Sequence, residues 1–354
     1  MRLRTALCST ASALSVLALL SACSSGSGTA SASSGAPLVG VDYPRSDTDF
    51  WNSYITYTPK YAAQLGLSLR TANSQNDVAK LTADAQTFIS QGVKGIAMAP
   101  QDTAAIGPTL AQLEAKKIPV VTIDTRPDSG KVFMVVRADN RSYGEKACRF
   151  LGTKLNGKGK VVMLEGGLDS INGRDRTEAF NDCMKRNYPG VKVLGEATNW
   201  DGAVAAQKLQ TDLTANPDIK GVYMESSFAL SGTLQLLRQK GLSAGPKDKK
   251  HVFIVSNDGI PEELKDIAAG TVDATVSQPA DLYAKYALYY LRAAIDGKTF
   301  KPGRTDHDST LVRVRPGLLE DQLPAPLVTV DGGTYGGVSS VKSDDKSLWG
   351  DNLG

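Results

Sequence analysis

Two carboxylates stand at matching points of this chain. Asp124 closes the apolar run 120–123, and Asp258 stands three residues after the run 252–255. Arg176, Gln278, Phe50, Trp51 and Trp200 can be grouped with them if the chain folds as argued below. A carboxylate accepts several O–H hydrogen bonds, and a guanidinium offers five fixed N–H donors. A side-chain amide does both, and a flat aromatic ring covers an apolar C–H face. Such a set suits a neutral polyhydroxylated molecule, a monosaccharide or polyol. Plainer roles exist for each residue. An aspartate at a strand end can cap the next helix. Arg176, with Arg174, could edge a solvated helix, Trp51 fits an apolar helical stripe, and Gln278 before Pro279 could merely end a strand.

Converging these residues requires a particular chain order. Short β-branched runs occupy 38–41, 96–99, 120–123, 161–164, 221–224 and 252–255. Between them, apolar residues recur at three- and four-residue steps, as in Trp51, Ile55, Thr58, Ala62 and Leu65, or Val78, Leu81, Ala85 and Phe88. Strands separated by helices imply parallel sheets covered on both faces. Pro59 should kink the first helix or delay its start. The alternation occurs twice with similar punctuation: Thr71-Ala72-Asn73 answers Ala197-Thr198-Asn199, and Val93-Lys94-Gly95-Ile96 answers Ile219-Lys220-Gly221-Val222. The expected fold is therefore α/β, with two Rossmann-like lobes and a ligand cleft between them. Ligands of open α/β sheets bind beyond the carboxyl ends of the strands. Asp124, Asp258, Phe50, Trp51, Trp200 and the segment from Glu225 through Ser226 to Ser227 all follow such ends.

The N-terminus sets the expected compartment. Arg2 and Arg4 precede a mostly apolar stretch, 11–20, which is too short to cross a bilayer and has the size of a secretory signal core. Leu20-Ser21-Ala22-Cys23 has the form of a lipobox, with Cys23 as the lipidation site of a signal spanning 1–22. Residues 24–36 are almost wholly Ser, Gly, Ala and Thr, a flexible coil with a reach of roughly 20 Å. The expectation is a secreted protein held at the outer face of the cytoplasmic membrane. Of the four cysteines, Cys148 and Cys183 remain for the folded body. In an oxidising compartment they would form a disulfide, the alternative being two buried thiols.

Composition argues against other classes. The net charge is +3, from 40 basic and 37 acidic residues, and no basic block marks a nucleic-acid surface. Only His251 and His307 are present, without metal-ligand spacing, and His307 in Asp306-His307-Asp308 reads as a solvated loop. No nucleophile elbow or phosphate-binding Gly-Lys-Ser/Thr motif occurs. The chain is read as a non-enzyme without cofactor or metal.

At this point the residues carry a resemblance. Asp47-Thr48-Asp49-Phe50-Trp51, Val121-Thr122-Ile123-Asp124, the segment from Asn172 to Phe180 with Arg174-Asp175-Arg176, Asn257-Asp258-Gly259 and Ser277-Gln278-Pro279 resemble, in order and spacing, segments of the periplasmic ribose/galactose-type sugar-binding proteins. The resemblance extends to about residue 320. Together with Trp200, placed by its strand end, it implies ligand contacts at Phe50, Trp51, Asp124, Arg176, Ser226, Asp258 and Gln278, with Thr48, Arg126, Glu225 and Asn257 beside them. It implies an N-terminal lobe of 37–138 plus 279–301, a C-terminal lobe of 139–278 plus 302–323, three hinge crossings near 138–140, 278 and 302, and a tail from 324 to 354. It also implies a monomeric solute receptor that closes on its ligand and delivers it to the permease of an ABC importer; a nucleoside, a sugar-like signal or a sensor-kinase partner are alternatives. Thr125 and Ser226 stand where ribose binders carry Arg and Asn, which leaves open the identity of the pentose, hexose or polyol.

Overall fold

The computed structural model describes residues 35–352, apart from 244 and 246; the signal, Cys23 and most of the proposed tether lie outside the described residues. The chain opens with β1 (Leu38–Tyr43), α1 (Asp49–Gln64), β2 (Ser68–Asn73), α2 (Val78–Ser90) and β3 (Ile96–Met98). It continues with α3 (Gly107–Ala115), β4 (Val120–Ile123) and β5 (Met134–Ala138). The motif then repeats as α4 (Asn140–Lys154), β6 (Lys158–Glu165), α5 (Ile171–Asn187), β7 (Gly190–Ala197) and α6 (Gly202–Ala215). There follow β8 (Ile219–Met224), α7 (Leu230–Gln239), β9 (Phe253–Asp258), α8 (Pro261–Ala269) and β10 (Ala274–Ser277). After α9 (Ala280–Ile295) come β11 (Gly303–Arg304), β12 (Thr310–Arg315), β13 (Leu318–Leu323), β14 (Leu327–Thr329), β15 (Thr334–Tyr335) and β16 (Val338–Lys342).

The strands build two sheets of one design. The first has the order β11-β12-β13-β5-β4-β3-β1-β2, and the second β15-β16-β14-β10-β9-β8-β6-β7. Within each, the five strands 2-1-3-4-5 or 7-6-8-9-10 are all parallel. Val39, Val41, Ile96, Val121, Ile123 and Val136 are fully buried, as both-face coverage by helices requires. In this strand order the connections reverse direction between the first and third strands, which opens a crevice at their carboxyl ends. The two crevices are where the site residues gather.

Four features differ from the sequence reading. Segment 302–323 belongs to the first sheet, because β13 pairs in parallel with β5 from Glu320↔Val135 to Leu323↔Ala138. The third crossing therefore falls between β13 and β14, not near residue 302. The expected tail is not an appendage: β14 pairs antiparallel with β10, and β16 extends the second sheet. Helix α1 starts at Asp49, capped by the Thr48 hydroxyl, and carries Pro59 inside it. His307 is not solvated. The β11–β12 turn lays it flat on Tyr286 of α9, with ring centroids 3.7 Å apart, and its Nε2 is 2.9 Å from buried Asp321. Cys148 of α4 and Cys183 of α5 form a disulfide. The two helices touch so closely that a Cβ on Gly144 would lie 2.3 Å from the Arg176 carbonyl.

Candidate functional site

Between the lobes lies a cavity lined by Arg45, Thr48, Phe50, Trp51, Gln101, Asp124, Asn172, Arg176, Trp200, Ser226, Phe228 and Gln278. Each comes from the segment after a strand's carboxyl end: β1, β3 and β4 in the first lobe, β6, β7, β8 and β10 in the second. Asp124 sits one residue past β4 with φ +61°, and its amide is tied to the Val136 carbonyl at 2.8 Å. This turn points the carboxylate across the cleft. Oδ2 accepts 2.8 Å from Asn172 Nδ2 on α5, and Oδ1 has no partner among the described residues. Burial pushes the Asp124 pKa up to about 6, against the opposing pull of Arg176 and Arg137.

Arg176, one helical turn after Asn172, is buried at the centre. Its Nε donates 2.7 Å to Asn140 Oδ1, one Nη to the Glu225 carbonyl and the other 3.2 Å to Gln278 Oε1. The guanidinium lies over Tyr143 and Trp200, 4.9 and 5.7 Å from their ring centroids. Burial alone would lower its pKa; Asp124 and Asp258 outweigh that and hold it above the ordinary value. Three hydrogen bonds to residues of its own lobe hold this cation, so the side chain has little freedom left to lose on binding.

Trp200 forms a wall. Its φ is +60°, and its ring presses on Gly166 and Gly167, where a Cβ at Gly166 would fall 2.0 Å from the indole. The close approach of the ring leaves no room for a side chain at either glycine. The Trp200 Nε1 donor is buried without a partner among the described residues. Phe228 meets Trp200 edge to face at 5.8 Å, as Trp51 meets Phe50 at 5.1 Å.

Asp258 is not in the lining. It is fully buried behind Ser226 and Gln278. Its Oδ2 accepts from the Ser226 hydroxyl at 2.6 Å, the Ser227 hydroxyl at 2.6 Å and the Ser227 amide at 2.8 Å, and Oδ1 accepts from the Gln278 amide. The carboxylate thus orients the two residues that face the cavity. Three other expected neighbours also point elsewhere. Arg126 donates 3.0 Å to Glu320. The Glu225 carboxyl, pushed up to about 8 by burial, accepts from Thr177 at 2.6 Å and the Gly166 amide at 2.8 Å. Asn257 donates 3.0 Å to Tyr223 and to the Glu225 carbonyl, beneath the floor. Thr48 combines two roles, capping α1 and lining the cavity.

Asn172, Gln101, Arg45 and Phe228 were missed as lining residues. For Asn172 a signal existed: it precedes Arg176 by four residues and so shares its helix face. The other three had none, since their place depends on how the lobes face each other. The lobes also meet through Arg137 of β5, fully buried, which donates to Asn172 Oδ1 at 2.7 Å and Asp175 Oδ2 at 3.2 Å. Nearer the surface, Arg174 makes a two-pronged contact with Asp128 at 2.7 and 2.9 Å. Among the described residues, no cluster of His, Cys, Asp and Glu has the arrangement of a metal site.

Two duplicated α/β lobes enclosing a polar cavity with aromatic walls define a two-lobed binding module. A family profile described as periplasmic binding protein domain matches residues 39–299. The chain belongs to that family. It is 28% identical over 260 residues to the ribose import binding protein of Bacillus subtilis, covering 73% of this chain and 82% of that one. The xylitol-binding protein of Mycolicibacterium smegmatis is 26% identical over 243 residues, covering 68% of this chain and 67% of that one. Among solved structures, an ABC transporter solute-binding protein from Mycobacterium smegmatis with bound glycerol superposes with a TM-score of 0.70 at 25% identity, covering 75% of this chain and 91% of that one.

Proposed function

We propose that this chain is the extracytoplasmic solute-binding receptor of an ABC importer, holding a monosaccharide or polyol between its lobes and handing it to a membrane permease. One observation carries the reading. Asp124 and Trp200, from opposite lobes, line one cavity, and the buried acceptor Asp124 Oδ1 and buried donor Trp200 Nε1 have no partner among the described residues. Buried polar groups are rarely left unmatched, and a molecule bearing several hydroxyls would match both at once. The relatives, which include ribose, xylitol and D-allose binding proteins, support the same ligand class.

A ligand that contacts both lobes favours the closed arrangement by its differential affinity for it. Asn172, Arg176, Ser226 and Gln278 serve from the second lobe, Asp124, Phe50 and Trp51 from the first. The signal-like residues 1–22 and Cys23 support export and lipid anchoring, and a C23A variant should be released from the membrane fraction. The ligand is tested by a thermal-shift screen of pentoses, hexoses and polyols, since a tight ligand raises the melting temperature by mass action. A rise with one or a few of them is expected; a flat response across all of them, with a rise for nucleosides instead, would reject the sugar reading.

A further inference from the structure

The second lobe ends in a short turn, Trp349–Asn352, that lies beyond the residues matched by the family profile. The Trp349 side chain is 1% exposed. Its Nε1 donates 3.0 Å to the backbone carbonyl of Asp258. Its ring meets the Phe50 ring edge to face at 6.2 Å, and its own carbonyl accepts from the Tyr57 hydroxyl at 3.4 Å. Asp258 belongs to the second lobe, Phe50 and Tyr57 to the first. The next residue, Gly350, lies so near the Gly259 carbonyl that an added Cβ would come within 2.6 Å of it.

The backbone that Trp349 grips is unusual. Asp258 has φ +125° and Gly259 φ +75°, and a non-glycine residue keeps such a conformation only where its surroundings over-determine it. Holding the Asp258 carbonyl is one such constraint; the Gln278 amide, 2.8 Å from the same carbonyl, is another. The Asp258 carboxylate in turn orients Ser226 and Gln278 toward the cavity.

We propose that Trp349 is a positioning residue for the binding site: it sets the backbone turn that aims Asp258 and braces the Phe50 wall from behind, coupling one element of each lobe through the C-terminal turn. It touches no ligand and acts through these two residues. The consequence for binding rests on the sugar or polyol reading above; the coupling itself does not. Closure that brings Phe50 against Trp349 is rewarded by that contact, so loss of the indole shortens the lifetime of the complex more than it slows its formation.

The test uses the full chain with W349F, which keeps a ring and loses the N–H, and W349A, which loses both. Hydrogen–deuterium exchange on the ligand-free proteins should show faster exchange near 257–260 in both variants, and near 49–54 in W349A alone. Titration with D-ribose, xylitol, D-allose and myo-inositol should show, for any that binds the wild type, weakening of roughly threefold to tenfold in W349F and more in W349A, carried by the off-rate. Unchanged exchange at 257–260 in W349F, or faster exchange spread evenly over the whole body, overturns the proposal. So does wild-type affinity in W349A. If none of the four probes binds the wild type, the sugar reading is the one in trouble, and the exchange pattern alone decides the role of Trp349.

Discussion

Asn172 of α5 reaches across the cleft and donates a 2.8 Å hydrogen bond to one oxygen of Asp124, leaving the other oxygen facing the cavity. The amide is itself held by Arg137 at 2.7 Å, a residue of the opposite lobe. Both bonds cross between the lobes, so the acceptor is oriented when the lobes are together.

Replacing Asp124 with Asn should raise the dissociation constant of the sugar or polyol at least tenfold, about 1.4 kcal/mol or more. The change keeps the shape and removes the charged acceptor that strengthens a hydroxyl contact. Calorimetry with the ligand found by thermal shift measures it, and wild-type affinity in D124N would remove Asp124 from the contact set.

The same carboxyl makes binding pH-dependent. Its pKa is pushed up to about 6 by burial. A ligand hydroxyl donating to Oδ1 favours the ionised form and so lowers that pKa in the complex. Binding then releases a proton near and below pH 6, and affinity should fall as pH drops through 6. Calorimetry at pH 5 and 7.5, in buffers of different ionisation enthalpy, would show the weakening and the released proton; equal affinity at both would exclude the linkage.

Asp258 should matter more than its place behind the lining suggests. D258A strips an acceptor from Ser226, Ser227 and Gln278 together, so two residues facing the cavity lose their orientation. A loss of at least tenfold in affinity is expected, against a smaller one for S226A, which removes a single hydroxyl. An S226A effect as large as that of D258A would argue for a direct Ser226 role instead.

Removing the disulfide should cost stability and spare binding. Cys148 and Cys183 enclose a loop of 35 residues, for which the chain-entropy relation gives about 3.8 kcal/mol. The bond ties α4 to α5, but Arg176 is also held by Asn140, the Glu225 carbonyl and Gln278. Urea unfolding of the double Cys→Ala variant should show most of that loss, with affinity changed less than threefold. Unaltered stability would mean the unfolded chain gains no freedom when the link is cut.

Overall stability should decline in mild alkali. Burial pushes the carboxyls of Asp42, Glu225 and Glu263 up to about 8. Each folded pKa lies above the unfolded one, so the folded state binds more protons between about pH 4 and 8. Stability from these groups is full below about pH 4 and is lost as pH rises through 8. Urea midpoints at pH 6 and 8.5 check this, and a higher midpoint at 8.5 would contradict it.

Much of this architecture was legible in the sequence. The β-branched runs and helical spacings reported alternating elements, and their repetition reported two lobes. Asp124 followed from strand-end logic and Arg176 from its motif, since both depend on neighbours close in sequence. Arg126, Glu225 and Asn257 lie beside such positions, yet their side chains turn toward Glu320, Thr177 and Tyr223. A one-residue step at a strand end reverses the face, and no local pattern says which partner waits on each side.

By itself, the sequence determined the periodicity of the elements, the duplication and the chemical types available for a site, because these are written in residues a few positions apart. Only the tertiary structure decided that β13 joins the first sheet, that β14 and β16 extend the second, that Asp258 stands behind Ser226 and Gln278, and that Trp349 packs against Phe50 some 300 positions earlier. Those outcomes depend on which surfaces meet when two lobes and a returning chain compete for the same buried space, and such competition is settled by packing over the whole molecule.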